Sequence, residues 1–353
     1  MEQKCLSKLR RIGRTFLEDD ILWCGLSGTG VEFACRAQNV KICFVGDSST
    51  HGQQTEGLAR AAVYVDEERV ADFCMEEPEK EIFLAQLCPD FGKDEHVVRV
   101  IKLSECPMSM IGIRSVEAEC GELYPTAVKN LKIEFIGDSI TCGYGVDMED
   151  PLVPFSTETE DATKAYACQT AKLLGAEYSL VSFSGYGIIT GYTDNDEMHL
   201  DQLVPLYYEK CGFSYARTLS GSAPQDRKWD FADYVPEVIV INLGTNDNSY
   251  CKEIPERHEL YKNAYVEFLK QVRSHNPKAK ILCVLGLMEA KNVQTMLSAV
   301  ECYRNLTGDC AVWGMELPLQ QPGDGLVSDY HPTRKSHAKA AELVAAKIRE
   351  ILA

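Results

Sequence analysis

The chain has 353 residues, of which 45% are hydrophobic and 25% are charged, and its formal net charge is −17. These proportions are typical of a globular protein with room for two domains. The acidic balance excludes most nucleic-acid-binding proteins, which present a basic surface, and it disfavours binding to anionic membranes. The charged first twenty residues lack the apolar core of a signal peptide, and no apolar run reaches the ~20 residues of a membrane span. A cytoplasmic location is therefore expected.

The fifteen cysteines run from Cys5 to Cys310, and none shows the C-x-x-C spacing of a zinc site. Several lie in apolar runs, which favours small buried side chains in a reducing compartment over a disulfide framework. One of them, Cys142, is an alternative candidate for a nucleophile, but its surrounding motif favours a serine.

Residues 1–125 are predicted to form a β-sandwich domain that begins with a short helix over 3–17. Alternating runs such as "TGVEFACRAQNVKICFVG", "RAAVYVDEERVA" and "HVVRVIKLSE" are separated by Gly, Asp and Asn. Short strands at roughly ten-residue spacing are typical of such a sandwich.

Residues 126–353 are predicted to form an α/β domain with a five-stranded parallel sheet, and the boundary falls at Pro125. In this part strands alternate with helices, which predicts helices on both faces of the sheet. Thr157 and Glu160 have the spacing of a capping box, and Leu260 is expected on the buried face of a long helix. The predicted strands are 131–137, 178–185, 237–244, 280–288 and 310–316, and the predicted helices are 162–175, 199–210, 256–275, 292–306 and 333–352.

Gly-Asp-Ser occurs twice, in "FVGDSSTHG" and in "FIGDSITCGYG". Ser48 lies between two strands of the β-rich part, among short polar residues that favour a turn. Ser139 follows the first strand of the parallel sheet, and open α/β sheets bind ligands outside the carboxyl ends of their strands. We therefore predict that Ser139 is the nucleophile and that Ser48 belongs to a turn.

Other candidate catalytic residues follow other strands of the same sheet. His331 is expected to accept the Ser139 hydroxyl proton and return it to the leaving alcohol, with Asp329 orienting the imidazole. The backbone N–H groups of Ser139 and Gly185 and the side-chain amide of Asn246 are expected to form an oxyanion hole. Gly185 would let the backbone approach without a Cβ atom in the way. Together these residues predict acyl transfer.

These motifs resemble the SGNH (GDSL-type) hydrolases over residues 131–352. That resemblance implies a flavodoxin-like three-layer fold and hydrolysis of carboxyl esters without a metal or another cofactor. "GDSITCGYG", "SGYG", "LGTND" and "DYHP" are similar to carbohydrate esterase family 2 in particular. Its members carry an N-terminal jelly-roll domain, so this narrower resemblance covers nearly the whole chain. It implies removal of O-acetyl groups from xylan- or mannan-type oligosaccharides. From the acidic charge we expect neither a nucleic-acid nor a membrane partner.

The chain departs from the broad superfamily at the residue that orients the histidine. The usual aspartate lies three residues before the histidine, where this chain has Ser328, whereas Asp329 lies two before His331. On an extended loop residues i and i+2 point the same way, so Asp329 is expected to reach the ring. In some members of the narrower family a backbone carbonyl takes this role, and that alternative stays open. Asp324 is a less favoured orienting residue, and His337 is expected to be an exposed helical residue.

Aromatic side chains that bind sugar faces are expected on loops at the same end of the sheet. The candidates are Tyr330, Tyr144, Tyr186 and Tyr250, with Tyr330 favoured at the mouth of the cleft. Two other functions remain open, namely an esterase or thioesterase for lipid or other acyl groups and a carbohydrate-binding protein without activity. The sugar, the acetylated hydroxyl and the oligomeric state are not specified by the sequence.

Overall fold

The computed structural model describes residues 6–51, 57–288 and 291–353. Contacts divide the chain into two compact units. The first unit comprises Met1–Val128, Ser156–Glu160 and Lys210–Trp229, and the second comprises Lys129–Phe155, Asp161–Glu209 and Asp230–Ala353. Residues 126–128 and two internal segments of the predicted catalytic domain 126–353 are thus assigned to the first unit.

The first unit is a β-sandwich, as predicted. Two antiparallel sheets have the strand orders β1-β4-β9-β6-β7, with β11 beside β4, and β2-β3-β10-β5-β8. Buried apolar residues of both sheets, including Phe33 and Phe44, form one core. The elements are β1 Arg10–Ile12, β2 Thr15–Glu18, β3 Ile21–Cys24, β4 Gly30–Arg36, β5 Asn39–Gly46, β6 Arg60–Val65, β7 Glu68–Cys74, β8 Glu79–Phe83, α1 Leu84–Leu87, β9 His96–Lys102, β10 Ile111–Glu119 and β11 Glu122–Tyr124.

The predicted helix over 3–17 is wrong for the residues of that segment that the structure describes. They form a single 3-10 turn, Leu6–Lys8, and then β1 and the beginning of β2. Strand β1 pairs with β4, and the Arg10 guanidinium forms an ion pair at 2.5 Å with the Glu32 carboxylate on that strand. Gly13, at φ +66°, makes the turn between β1 and β2. Pairing with a neighbouring strand overrides the helical pattern.

The second unit contains a five-stranded parallel sheet in the order β13-β12-β14-β15-β16, as predicted. Counted from β12, this is the flavodoxin-like order 2-1-3-4-5, whose switch point lies between β12 and β14. Helix α3 packs against α8, and α6 packs against α7. The elements are β12 Lys132–Gly137, α2 Ser139–Cys142, α3 Tyr166–Leu173, β13 Glu177–Ser182, α4 Val204–Tyr207, β14 Val238–Asn242, α5 Thr245–Cys251, α6 Pro255–His275, β15 Lys280–Leu287, α7 Val293–Thr307, β16 Val312–Leu319 and α8 Arg334–Leu352.

Three local predictions in this region are wrong. The helix expected over 199–210 is reduced to the single turn α4. The predicted capping box does not form, because Ser156 caps a 3-10 turn and the Glu160 carboxylate instead accepts a hydrogen bond from the Glu105 N–H at 2.7 Å. Leu260 is 44% exposed, because α6 turns Tyr261 and its neighbours toward the core instead.

None of the described cysteines forms a disulfide, and most of them are buried or half-buried. The Cys142 side chain is buried, and its thiol donates to the Ser182 hydroxyl at 3.2 Å. None of the helices in the described part of the chain combines the length and the apolar character needed to cross a bilayer.

Candidate active site

An open cavity of about 740 Å³ lies in the second unit, at the carboxyl ends of the sheet strands. Ser139, Gly185, Asn246 and His331 all line it, although they lie far apart in the sequence. Strands β12 and β14 flank the switch point, and Ser139 and Asn246 follow these two strands directly. The parallel sheet thus brings together the four residues that the sequence motifs singled out.

The Ser139 side chain is held on a tight turn between β12 and α2. Asp138 caps that helix, because its carboxylate accepts the Ile140 N–H at 3.1 Å. A Cβ atom on Gly137 would lie 2.0 Å from the Thr141 hydroxyl, so the turn requires glycine there. The Ser139 hydroxyl lies 2.8 Å from Nε2 of His331. This distance is short enough for direct proton transfer between the two groups.

His331 is oriented by backbone carbonyls. Its Nδ1 lies 3.2 Å from the carbonyl oxygens of both Ser328 and Asp329, and only a protonated Nδ1 can satisfy them. Nε2 is then left as the acceptor for the Ser139 hydroxyl. Burial lowers the pKa of His331 to about 4, although both carbonyls and the Asp329 charge favour the protonated ring. The imidazole is therefore a neutral base at neutral pH.

The expectation that the Asp329 carboxylate orients the ring is wrong, and the alternative of a backbone carbonyl agrees with the geometry. The carboxylate accepts a hydrogen bond from the Tyr144 hydroxyl at 2.7 Å. The argument from an extended loop fails because 328–330 is a 3-10 turn in which Asp329 and Tyr330 have φ values of +50° and +62°. The less favoured Asp324 carboxylate forms ion pairs with Lys335 and Lys339.

Gly185 and Asn246, the predicted oxyanion-hole residues, both line the cavity with Ser139. A Cβ atom on Gly185 would meet no protein atom within 4 Å, so contact with the rest of the chain does not require glycine there. Its φ of +80° does favour a residue without a side chain, and the close approach of its backbone to a substrate stays a prediction. The Asn246 amide donates to the Tyr186 carbonyl at 2.8 Å and lies 3.5 Å from the Asp138 carboxylate.

Asp247 is a residue of the site region that the sequence analysis missed. Its buried carboxylate accepts the backbone N–H groups of Ile188 at 2.8 Å and Ile189 at 2.7 Å, directly after the Gly185 turn. Burial raises the pKa of Asp247 to about 6, while these backbone N–H groups favour its ionised form. Burial also raises the pKa of Asp138 to about 7, with the charge of Asp247 adding to it. The sequence could have pointed to Asp247 only through its position directly after Asn246 in "GTND".

The four predicted tyrosines occupy different environments. Tyr330 is 55% exposed and lines the cavity, as expected for a residue at its mouth. Tyr144 also lines it, but Phe155 and His331 each stack on its ring with centroid distances of 4.1 Å. Both of its faces are therefore covered, so the prediction that Tyr144 is a sugar platform is wrong.

The predictions for Tyr186 and Tyr250 are wrong as well. The Tyr186 side chain is 4% exposed and packs against Phe183 and Tyr207. The Tyr250 ring lies 4.1 Å from the Arg257 guanidinium and does not line the cavity. A different tyrosine, Tyr192, lines the cavity and is 62% exposed, but no strand-end motif pointed to it.

His337 is buried, which corrects the expectation of an exposed position. Its Nδ1 accepts the Tyr166 backbone N–H at 3.2 Å, so this imidazole joins α8 to the beginning of α3. Burial lowers the pKa of His337 to about 3. Among the described residues that line the cavity, only Asp329 and His331 offer the carboxylate or imidazole donors of a metal site.

Ser48 occupies a turn, as predicted. It is exposed at the beginning of the 3-10 turn Ser48–His51. Its hydroxyl accepts the Arg217 backbone N–H at 2.8 Å, and its own N–H donates to the Arg217 carbonyl at 2.9 Å. The serine thus connects two segments of the first unit.

The profile of the GDSL-like lipase/acylhydrolase family matches residues 135–339. The chain belongs to this family. It is 28% identical to cellulase/esterase CelE of Acetivibrio thermocellus over 92% of its length, and it spans only 38% of the length of that relative. It is also 26% identical to an acetylxylan esterase/glucomannan deacetylase of Cellvibrio japonicus, over 97% of this chain and 88% of that protein.

Solved structures of esterases have the same fold as this member of the GDSL-like family. An acetyl xylan esterase from Butyrivibrio proteoclasticus superposes with a TM-score of 0.85 at 25% identity, over 98% of this chain and 96% of that one. A family two carbohydrate esterase from Clostridium thermocellum, solved in complex with cellohexaose, superposes with a TM-score of 0.83 at 26% identity. The superposition covers 98% of this chain and 99% of that one. The predicted fold and the resemblance to carbohydrate esterase family 2 are confirmed.

Proposed function

We propose that this chain is a serine esterase that removes O-acetyl groups from carbohydrates, with acetylated xylo- or manno-oligosaccharides as substrates. The observation that carries this proposal is the 2.8 Å contact between the Ser139 hydroxyl and His331 Nε2, in a cavity that Gly185 and Asn246 also line. The similarity to acetylxylan esterases supports the choice of the acetyl group and of the carbohydrate.

The proposed reaction begins when His331 Nε2 accepts the Ser139 proton and the oxygen attacks the acetyl carbonyl carbon. The carbonyl oxygen becomes an oxyanion that faces the N–H groups of Ser139 and Gly185 and the Asn246 amide. Collapse of this intermediate breaks the bond to the sugar oxygen, which takes the proton from His331. Water then attacks the acetyl-serine while His331 Nε2 takes a proton from it. The bond between the acetyl carbon and the Ser139 oxygen breaks, that oxygen takes the proton back from His331, and acetate leaves.

The sugar is proposed to bind at the mouth of the cavity between exposed aromatic rings. Tyr330 and Tyr192 line the cavity and expose more than half of their surface, so each offers a ring face to the C–H face of a sugar. Tyr330 lies directly before His331, which places a bound sugar close to the base. We expect Tyr330→Ala to raise KM for an acetylated oligosaccharide about fivefold and to leave KM for an aryl acetate nearly unchanged.

Time-resolved NMR of acetylated xylo- and manno-oligosaccharides with the pure protein tests the function. We expect loss of sugar acetyl signals and an equal gain of free acetate, and neither change with Ser139→Ala. A parallel series of aryl esters should show a steep fall in rate beyond acetyl or propionyl. Faster hydrolysis of longer chains would favour an esterase for lipid or other acyl groups. Binding of the oligosaccharides without release of acetate would favour a carbohydrate-binding protein.

The cytoplasmic location stays a prediction.

A further inference from the structure

Tyr144 contacts the proposed base and also the turn that orients it. Its ring stacks on the His331 imidazole with an interplanar angle of 24°, and Phe155 stacks on the ring at 20°. Its hydroxyl donates to the Asp329 carboxylate at 2.7 Å. The same side chain therefore limits rotation of the imidazole and holds the residue whose carbonyl faces Nδ1.

The backbone of Tyr144 is anchored to the turn that carries the nucleophile. Its N–H donates to the Ser139 carbonyl at 3.2 Å, beside a similar bond from Gly143. The next residue, Gly145, approaches the histidine turn so closely that an added Cβ atom would lie 2.6 Å from the Ser328 Cβ. Tyr144 thus spans the short distance between the Ser139 turn and the His331 turn.

The turn before His331 needs such support. Asp329 and Tyr330 are consecutive residues with left-handed φ values, and neither is glycine. Side chains in this region of φ persist only where surrounding contacts hold them. Four contacts hold this turn. The Tyr144 hydroxyl donates to the Asp329 carboxylate, and the Asp329 N–H donates to the Pro151 carbonyl. The Gln320 side-chain amide donates to the Tyr330 carbonyl, and Val327 forms a β-bridge with His331. Among these four, only Tyr144 also touches the imidazole.

We propose that Tyr144 is a positioning residue for the general base and does not bind the sugar. Its ring fixes the plane of the His331 imidazole, and its hydroxyl fixes the turn at Asp329 so that the carbonyl oxygens of Ser328 and Asp329 face Nδ1. When His331 accepts the Ser139 proton, the aromatic face beside it also attracts the positive charge that forms. This inference rests on the proposed function, because it assigns a task only to an active Ser139–His331 pair.

The first test separates the ring of Tyr144 from its hydroxyl. Tyr144→Phe keeps the stacking and removes the hydrogen bond to Asp329, and Tyr144→Leu removes both. On an aryl acetate we expect kcat to fall about three- to tenfold for Tyr144→Phe and on the order of 10²-fold for Tyr144→Leu, with KM within about twofold of wild type. Tyr207→Phe is the matched control, because it removes a tyrosine hydroxyl bond of 2.9 Å to the Asp201 carbonyl away from the cavity. Its kcat should match wild type.

Covalent labelling distinguishes positioning from damage to the fold. A fluorophosphonate reacts with the activated serine, so its labelling rate reports the base and its final stoichiometry reports the folded fraction. We expect both Tyr144 variants to be labelled more slowly than wild type and to the same final extent. A normal rate with a reduced extent would overturn the inference, as would a raised KM with unchanged kcat.

A double-mutant cycle tests whether the hydroxyl acts through Asp329. In the wild-type background Tyr144→Phe should lower kcat about three- to tenfold, but in an Asp329→Ala background it should lower kcat less than about twofold. An equal loss of kcat from Tyr144→Phe in both backgrounds would show that the hydroxyl does not act through Asp329. Ser139-dependent hydrolysis by the wild type is measured first. If it is missing, the proposed function fails. If it is present and the Tyr144 variants match wild type, only the positioning role fails.

Discussion

The two Gly-Asp-Ser segments have nearly the same local structure. In each, the aspartate carboxylate accepts the N–H two residues on, at 2.8 Å from Ser49 to Asp47 and at 3.1 Å from Ile140 to Asp138. In each, a Cβ atom on the glycine would collide with a threonine four residues later, at 2.3 Å and at 2.0 Å. The short sequence therefore specifies a strand followed by a capped turn in both places, and it does not specify chemistry.

The two segments differ in the direction of the strands beside them. Strand β5 pairs antiparallel with β10 and β8, so Gly46 lies opposite Ile111, where β10 begins. Strand β12 pairs parallel with β13 and β14, so Gly137 lies opposite Ser182 and Asn242, where both neighbours end. The loops that follow parallel strands meet at one edge of the sheet. Gly185 and Asn246 therefore lie near Ser139, whereas Ser48 meets the backbone of Arg217.

The serine substitutions should give the largest difference between the two segments. We expect Ser139→Ala to lower kcat on an aryl acetate by about 10⁴- to 10⁶-fold, since loss of the nucleophile removes the covalent route. Ser48→Ala should retain kcat within about twofold, because its hydroxyl only accepts a backbone N–H. Steady-state kinetics decide between these outcomes, and similar losses in both variants would contradict the assignment of the nucleophile.

Asn246→Ala tests a predicted oxyanion-hole donor, which lies near Ser139 and has no counterpart at Ser48. Removing one oxyanion-hole donor is expected to lower kcat by about 10²- to 10³-fold, with little change in KM, because the charge develops after binding. Asn276→Ala serves as a control, since this buried amide donates to the Tyr208 hydroxyl and the Val272 carbonyl, and none of these three residues lines the cavity. It should lower stability and leave kcat unchanged in the folded fraction. A KM effect in Asn246→Ala without a kcat effect would assign Asn246 to substrate binding.

Substitution of the two aspartates should separate structure from catalysis. Asp47→Ala and Asp138→Ala each remove a carboxylate that caps a turn, so each should lower the free energy of unfolding by about 1–3 kcal/mol. Only Asp138→Ala should also lower kcat, on the order of 10- to 10²-fold, because it loosens the turn that positions Ser139. Denaturant unfolding and kinetics on the same preparations measure both effects. An equal loss of kcat in the two variants would remove the distinction between the segments.

The pH dependence of catalysis should come from the groups around Ser139 and not from the turn at Ser48. Burial lowers the pKa of His331 to about 4, so the ring is neutral and basic above that pH and protonated below it. We expect a first, limited decline of kcat/KM near pH 6 to 7, where the buried carboxylates of Asp138 and Asp247 gain protons, and a fall of about tenfold for each unit below pH 4, where His331 gains its proton. A pH-rate profile in buffers of constant ionic strength checks this. A tenfold fall per pH unit that begins near the ordinary histidine pKa of about 6.5 and continues without a plateau would show that the ring is solvated in the working enzyme.

Much of the fold and of the site followed from pattern alone. The alternation of strand and helix after Pro125 predicted the parallel sheet, and the residues after its strands included Ser139, Gly185, Asn246 and His331. The prediction worked because the direction of a parallel sheet fixes which loops share an edge. It failed for the first helix, where residues 10–12 pair with β4, since strand pairing depends on residues distant in sequence.

The sequence by itself determined the two kinds of domain, the choice of Ser139 over Ser48, and the strand ends at which the other polar groups would lie. These follow from periodicity and from residue type, which are local properties of the chain. Only the tertiary structure decided that carbonyl oxygens face His331 Nδ1 and that the Asp329 carboxylate accepts the Tyr144 hydroxyl. It also decided that Tyr192 lines the cavity, whereas Tyr186 is buried. Such contacts depend on left-handed backbone angles and on packing between distant segments, and neither leaves a periodic pattern in the sequence.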